Sequence, residues 1–249
     1  MRDTAEILGV PVDIISHSGA LDALERFMGE GGFHLVVTPN PEMIMSAQKD
    51  ARIKEILRSA ALSLPDGVGV VMASRLTDKP IPRRVTGCDL MPDLLGRMSK
   101  SGRTAYFLGG RPGVAEQAKM NMEARYPGIK IIGARHGYFT EDYDKLISED
   151  LAAKKPDLLM LGLSYELALN WAYDHRYLNI PVVACVGGTL DILSGAVARA
   201  PTAFRKLGLE WFYRLCSQPS RWTRMLQLPV FAAMVLRERL AYTPRRGRW

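Results

Sequence analysis

Two short segments carry the residues best able to do chemistry, and each closes an apolar run. Asp66 lies in Leu64-Pro65-Asp66-Gly67, directly after the β-rich run Ala61–Leu64. A carboxylate at the end of a strand, with a flexible glycine beside it, can take a proton from an attacking hydroxyl. The same local pattern also suits an Asx turn or a helix cap, and on local sequence alone that plainer role is the stronger. Thr38 and Asn40 stand in Thr38-Pro39-Asn40-Pro41, where two prolines stiffen a loop that would present them to a ligand. Asn40 capping a helix with Pro41 in its first turn is the plainer role there, and the two are compatible.

Glycine-rich turns follow two further apolar runs. Gly109-Gly110-Arg111-Pro112-Gly113 has neither the spacing of a dinucleotide fingerprint nor the lysine of a P-loop. It still lets backbone N–H groups approach an anion at the next helix start. Gly187-Gly188-Thr189 with Asp191 is similar, although Asp191 could be an ordinary first-turn acid. Asp142-Tyr143-Asp144 has the Asp-x-Asp form of a metal-binding run, but it sits after Thr140 among acids, as a helix start does. The four histidines and three cysteines show no metal-ligand spacing, so no metal or other cofactor is expected. An anionic ligand held without a metal would need fixed cations, and Arg83, Arg84, Arg214, Arg221 and Arg224 have the two-pronged geometry for it. A solvated basic face is the plainer reading for most of the last three.

The elements that must position these residues alternate, strand with helix. Candidate strands are Phe33–Val37, Ala61–Leu64, Thr104–Leu108, Ile129–Gly133, Asp157–Gly162 and Val182–Val186, after a leading strand over Val10–Ser16. Candidate helices include Gly19–Met28, one long helix over Pro41–Leu57, Val68–Leu76, Asp89–Ser99, Val114–Tyr126, Glu141–Ala153 and Glu166–Tyr177. This alternation predicts an α/β fold: a Rossmann-like, mainly parallel sheet flanked by helices, whose ligands sit beyond the carboxyl ends of the strands. A boundary near Pro201 divides a catalytic domain, residues 1–198, from a helical basic C-terminal appendage, residues 199–249.

Charge supports that division. The chain carries +7 overall, yet residues 199–249 hold eleven Lys and Arg against Glu210 and Glu238, a local charge of +9. Such a tail seeks an anionic surface, lipid or nucleic acid. Its basic residues are interleaved with Phe204, Trp211, Phe212, Tyr213 and Trp222, and no nucleic-acid motif is present, so a membrane surface is expected and nucleic acid is not. The first nine residues do not read as a signal peptide, and Leu226–Leu236 is about half the roughly 20 residues of a spanning helix. Three odd, scattered cysteines read as buried thiols of a reducing compartment.

Taken in order, several runs resemble the WecG/TagA/CpsF family of bacterial glycosyltransferases. They include Thr38-Pro39-Asn40-Pro41-Glu42-Met43, Leu64-Pro65-Asp66-Gly67-Val68-Gly69 and Arg84-Val85-Thr86-Gly87-Cys88-Asp89. Phe107–Ala115, His136-Gly137-Tyr138-Phe139, Val186-Gly187-Gly188-Thr189 and Arg199-Ala200-Pro201 through Leu215 continue the match. The resemblance implies an inverting, metal-independent enzyme. It would move a sugar from a UDP-sugar donor to a sugar on a polyprenyl diphosphate, at the cytoplasmic face of the membrane. By resemblance Asp66 is the base, Thr38 and Asn40 flank the sugars, and Arg84 touches diphosphate or substrate. Tyr138 and Asp191 hold the uridine beside Gly109, Gly110, Arg111, Gly187 and Gly188. Arg214, Arg221 and Arg224 belong to an appendage that closes over the site.

One stretch departs from the family pattern. Where members carry Gly-Ala-Pro-Lys-Gln-Glu-x-Trp, this chain reads Ser164-Tyr165-Glu166-Leu167-Ala168-Leu169-Asn170-Trp171, so the Gln falls on Ala168 and the Glu on Leu169. That departure leaves the donor sugar open, a hexose other than N-acetylmannosamine among the choices, and admits a protein that binds nucleotide sugar without turning it over. Homo-oligomerisation is left open by the sequence.

Overall fold

The computed structural model describes residues 2–206, 208–217 and 227–241 of the 249-residue chain. A hairpin leads, formed by β1 (Thr4–Ile7) and β2 (Val10–Asp13). The chain continues through α1 (His17–Glu30), β3 (His34–Val37), α2 (Pro41–Ala47), α3 (Ala51–Ser59), β4 (Leu62–Ser63), α4 (Val68–Ser74) and α5 (Gly87–Ser101). Next come β5 (Thr104–Gly109), α6 (Val114–Arg125), β6 (Lys130–Arg135), α7 (Glu141–Lys154), β7 (Leu158–Gly162), α8 (Tyr165–Asp174) and β8 (Val182–Cys185). Four helices complete the described chain: α9 (Thr189–Ser194), α10 (Thr202–Lys206), α11 (Glu210–Ser217) and α12 (Gln227–Ala241).

Strands β3 to β8 form one parallel sheet in the order β4-β3-β8-β7-β5-β6, the α/β architecture expected from the alternation. Period-2 alternation decides which helix each strand residue meets. Leu35, Val37, Leu159 and Leu161 point into a core with α2, α3, α4, α7, α8 and α12. Val36, Leu158 and Met160 point the other way, into a core with α1, α5, α6 and α9. The central strands are therefore apolar on both sides, as a parallel sheet covered by helices requires.

Two expectations are corrected. The strand expected over Val10–Ser16 ends at Asp13 and pairs antiparallel with Thr4–Ile7, outside the six-stranded sheet. Its cause is local: Leu8 and Gly9 both take positive φ and close a two-residue hairpin turn. The helix expected over Pro41–Leu57 is two helices. Asp50 accepts from the N–H groups of Arg52 (2.8 Å) and Ile53 (3.2 Å), and so caps a new start at Ala51.

Strand order also creates the crevice. From β5 the chain turns outward through α6 to β6, whereas from β7 it turns the opposite way through α8 to β8. The neighbouring strands β5 and β7 thus diverge at their carboxyl ends, the topological position at which open α/β sheets take ligands. Their backbones nearly touch there. The Gly110 N–H donates to the Gly162 carbonyl at 3.0 Å. A Cβ on Gly109, whose φ is +146°, would stand 2.4 Å from that same carbonyl group.

The C-terminal helices lie against this body. Phe231 and Val235 of α12 are buried in the core that also holds α2 and α4. The Leu8 N–H donates to Glu238 at 3.2 Å, and Arg239 pairs with Asp78 at 3.2 Å.

Gly109→Ala is expected to cost about 3 kcal/mol, combining a steric clash against backbone with a forbidden φ. Gly102→Ala, left-handed with open space around it, should cost only about 1 kcal/mol. Urea midpoints at unchanged slope would give both values.

Candidate active site

Thr38, Asn40 and Asp66 come together where β3, β4 and β8 end. Thr38 is buried, and its hydroxyl donates to the Cys185 carbonyl at 3.2 Å. Asn40 caps α2 by accepting from the Met43 N–H at 3.0 Å, with Pro41 in the first turn. Asp66 follows a tight turn in which its N–H donates to the Leu64 carbonyl at 2.8 Å, and it is half-buried. The N-cap of α4 is Gly67, not Asp66.

Glycines let the loops close on one another. A Cβ on Gly67 would lie 4.0 Å from Asn40 Cβ, and one on Gly69 would lie 2.7 Å from Pro41 Cγ. Gly87 opens α5 at 3.6 Å from Thr38, Val186 and Thr189, measured from where its Cβ would be. The Asp66 turn, the Thr38–Pro41 loop, the start of α5 and the Gly187–Thr189 turn therefore line one edge of the sheet.

The crevice between β5 and β7 continues that edge. Gly110, half-buried, and Arg111, exposed, form the turn into α6. The Gly137 N–H donates to the Gly110 carbonyl at 2.9 Å, which sets Tyr138 beside this turn with its ring 60% exposed. Gly162, at the end of β7, abuts Leu190 of α9, where a Cβ would clash at 2.7 Å. Asp191, two residues into that helix, is half-buried, and its carboxylate would stand 3.6 Å from a Cβ on Gly188. Helices α6, α8 and α9 begin at Gly113, Ser164 and Gly188, none of which makes a side-chain cap, whereas Ser16, Asn40, Asp50, Thr86 and Thr140 cap theirs. Starts without side-chain caps, gathered beyond strand ends, suit an anion.

Arg84, expected to touch diphosphate or substrate, lies at the joint between the body and the C-terminal segment. Arg84 donates to Glu210 at 3.2 Å and to the Arg205 carbonyl at 2.9 Å, so it is bound to the C-terminal segment. Arg199 pairs with Asp89 at 2.6 Å, with Arg205 at 3.8 Å from the same carboxylate. Burial alone would raise the pKa of Asp89. Hydrogen bonds from Thr86 and Arg199, with the charges of Arg199 and Arg205, bring it below the usual carboxylate range. Arg84 and Arg205 also line a cleft of about 370 Å³, with Val68, Val71, Pro82, Arg83 and Gly208. Arg199, Arg205, Asp89 and Glu210 all stand within runs that resemble the family, but no local pattern marks them as partners. Arg214 falls on α11, and Arg221 and Arg224 lie outside the described residues.

A profile of the glycosyl transferase WecG/TagA/CpsF family matches residues 5–245. The chain belongs to the WecG/TagA/CpsF family of glycosyl transferases. It is 35% identical over 237 residues to the N-acetylglucosaminyldiphosphoundecaprenol N-acetyl-β-D-mannosaminyltransferase of Bacillus subtilis strain 168, covering 94% of this chain and 92% of that one. The enzyme of the same name from Staphylococcus aureus strain MW2 is 30% identical over 229 residues, 91% of this chain and 89% of its own.

In this WecG/TagA/CpsF member the departing stretch folds as the start of α8. Ala168 and Leu169 are both fully buried in the core. Tyr165 bridges to α2, its hydroxyl 2.7 Å from that of Ser46 and 2.9 Å from Glu166. Trp171 donates its indole N–H to Asp144 at 2.5 Å. The Asp142-Tyr143-Asp144 run is the acidic first turn of α7, capped by Thr140. Among the described residues no group of His, Cys, Asp and Glu is placed to hold a metal, and no helix is long and apolar enough to cross a membrane.

Asp89→Asn should loosen the segment after residue 199. At pH 7 its amide hydrogens should exchange several-fold faster than in the wild type. Because the folded-state pKa of Asp89 is depressed, its stabilising contribution is present above the ordinary carboxylate value and fades as pH falls below it. Wild-type exchange, corrected for intrinsic rates, should therefore rise toward the variant's only below about pH 4.

Proposed function

We propose that the protein moves a hexose or N-acetylhexosamine from a UDP-sugar to a sugar borne on a polyprenyl diphosphate, with inversion and without a metal, in the building of a bacterial cell-surface polysaccharide. The observation that carries this reading is the meeting of the Asp66 turn with the Thr38–Pro41 loop, beside the glycine turns that open α6 and α9. The acceptor class follows from the relatives, whose names specify N-acetylglucosaminyldiphosphoundecaprenol.

In a single displacement, an Asp66 carboxylate oxygen takes the proton from the acceptor hydroxyl. The acceptor oxygen freed of that proton attacks the anomeric carbon from the side opposite the leaving group. The bond from anomeric carbon to phosphate oxygen breaks, and UDP departs with the electron pair. Thr38 and Asn40 orient the sugars. The starts of α6, α8 and α9 receive the negative charge, with Arg111 beside them, and Tyr138 and Asp191 hold the uridine. Preorganised donors of this kind are worth as much as the proton transfer itself.

Residues 199–249, with Arg214, Arg221 and Arg224, form the appendage that brings this site to the anionic inner face of the cell membrane. Exposed Trp211, Phe212, Val230 and Leu240 supply the apolar contact. Each basic residue near an anionic leaflet adds about 1 kcal/mol, screened by salt.

Transfer to a synthetic polyprenyl-diphosphate sugar from a panel of UDP-hexoses and UDP-N-acetylhexosamines tests the chemistry. One donor should react, and Asp66→Asn should lower its rate about 10²–10⁴-fold with UDP affinity unchanged. Near wild-type turnover in that variant removes Asp66 from its role. UDP binding without transfer from any donor favours a non-catalytic nucleotide-sugar-binding protein, the reading that buried Ala168 and Leu169 support. Replacing Arg214, Arg221 and Arg224 together with Glu should abolish salt-sensitive co-sedimentation with anionic vesicles. The triple variant is the cleaner test, since deleting the segment would also uncover the core around Phe231 and Val235.

A further inference from the structure

We propose that His136 is a positioning residue for the nucleotide, acting through Tyr138; this rests on the reading of Tyr138 as a uridine contact. His136 leaves the end of β6 and is fixed on two sides. Its imidazole lies flat on the Tyr143 ring of α7, with centroids 4.4 Å apart and planes 17° from parallel. Its Nδ1 accepts from the Tyr138 backbone N–H at 3.3 Å. The Tyr138 ring stands edge-on to the imidazole, with centroids 6.4 Å apart at 66°.

The residue between them is pinned too. Gly137 donates to the Gly110 carbonyl at 2.9 Å, and a Cβ on it would meet Leu163 at 2.3 Å and Gly109 at 3.1 Å. The loop is therefore tied to α7 through the imidazole and to the β5 turn through Gly137, and its own backbone is closed by Nδ1. What these ties hold in place is the backbone of a tyrosine that remains 60% exposed. An exposed ring on a backbone pinned from both sides, beside a glycine turn, offers a face to a flat base with the backbone ordering met before the ligand arrives. An Nδ1 that accepts carries no proton, which in the neutral ring leaves the hydrogen on Nε2.

Three variants separate this role from simple support of the fold. His136→Phe keeps a ring against Tyr143 and deletes the acceptor. His136→Asn places an amide oxygen near the site of Nδ1. Tyr138→Ala removes the proposed platform. Titration calorimetry with UDP is expected to show Tyr138→Ala weakened about tenfold. His136→Phe should be weakened roughly 3- to 10-fold, with a melting temperature close to wild type. His136→Asn should bind within about twofold of wild type. The double variant His136→Phe/Tyr138→Ala should bind no worse than Tyr138→Ala alone, because the histidine works through the tyrosine.

Wild-type binding by His136→Phe alongside weak binding by Tyr138→Ala overturns the role of His136 and leaves the uridine contact standing. Binding by a folded His136→Asn as weak as that of His136→Phe also overturns it. Additive losses in the double variant do the same. Wild-type binding by Tyr138→Ala removes the uridine reading itself, and this inference with it.

Discussion

The site depends on how closely two parallel strands approach where they part. β5 and β7 must end with backbone against backbone, because the Gly110 N–H bonds to the Gly162 carbonyl and no Cβ fits at Gly109. Without that contact the two chains could not diverge to opposite sides of the sheet within hydrogen-bonding distance of each other. The crevice they leave is then floored by peptide groups and not by side chains. From it hang the Gly137 bond, the placement of Tyr138 and the packing of Leu190 against Gly162, which carries the start of α9. A glycine at each of these points is a steric demand.

A second constraint is electrostatic and joins the body to the segment after residue 199. Asp89 lies at the start of α5, where a carboxylate is favoured by the helix dipole, and there it also meets Arg199 and Arg205. Arg84 runs the opposite way, from the body to Glu210 and the Arg205 carbonyl. Each partner thus holds a group of the other. The half-buried setting makes these links stronger than exposed ion pairs, yet still sensitive to a competing anion. Arg84 and Arg205, which both line the cleft beside Val68, are thus already paired with carboxylates.

Much of this was legible in the sequence, and the failures have physical causes. Strand and helix alternation, the apolar period and the strand-end turns all emerged because each is set by neighbours within about ten residues. Asn40 as a cap and the acidic start of α7 were readable for the same reason. The β1–β2 hairpin escaped because its first strand, Thr4–Ile7, is only four residues long and is paired through a two-residue turn. The break at Gln48–Asp50 escaped because an amphipathic pattern continues across it, and only the Asp50 cap marks the new start. The partners of Arg84 could not have been read at all. Glu210 lies 126 residues away, and nothing in either local pattern encodes the pairing.

The short edge strand β4 bears on how copies of the protein can meet. An open sheet edge offers unpaired peptide groups on which another chain can grow. Here that border is sealed from within. Asp13 of the leading hairpin accepts from the Ser63 N–H at 2.6 Å, and Arg2 donates to the Ala60 carbonyl. With β4 two residues long and its outward groups so occupied, strand-to-strand fusion on that side is blocked. The opposite border, β6, has Lys130 and Arg135 at its two ends. Growth of the sheet through the β4 border would first have to displace the Asp13 carboxylate and the Arg2 guanidinium.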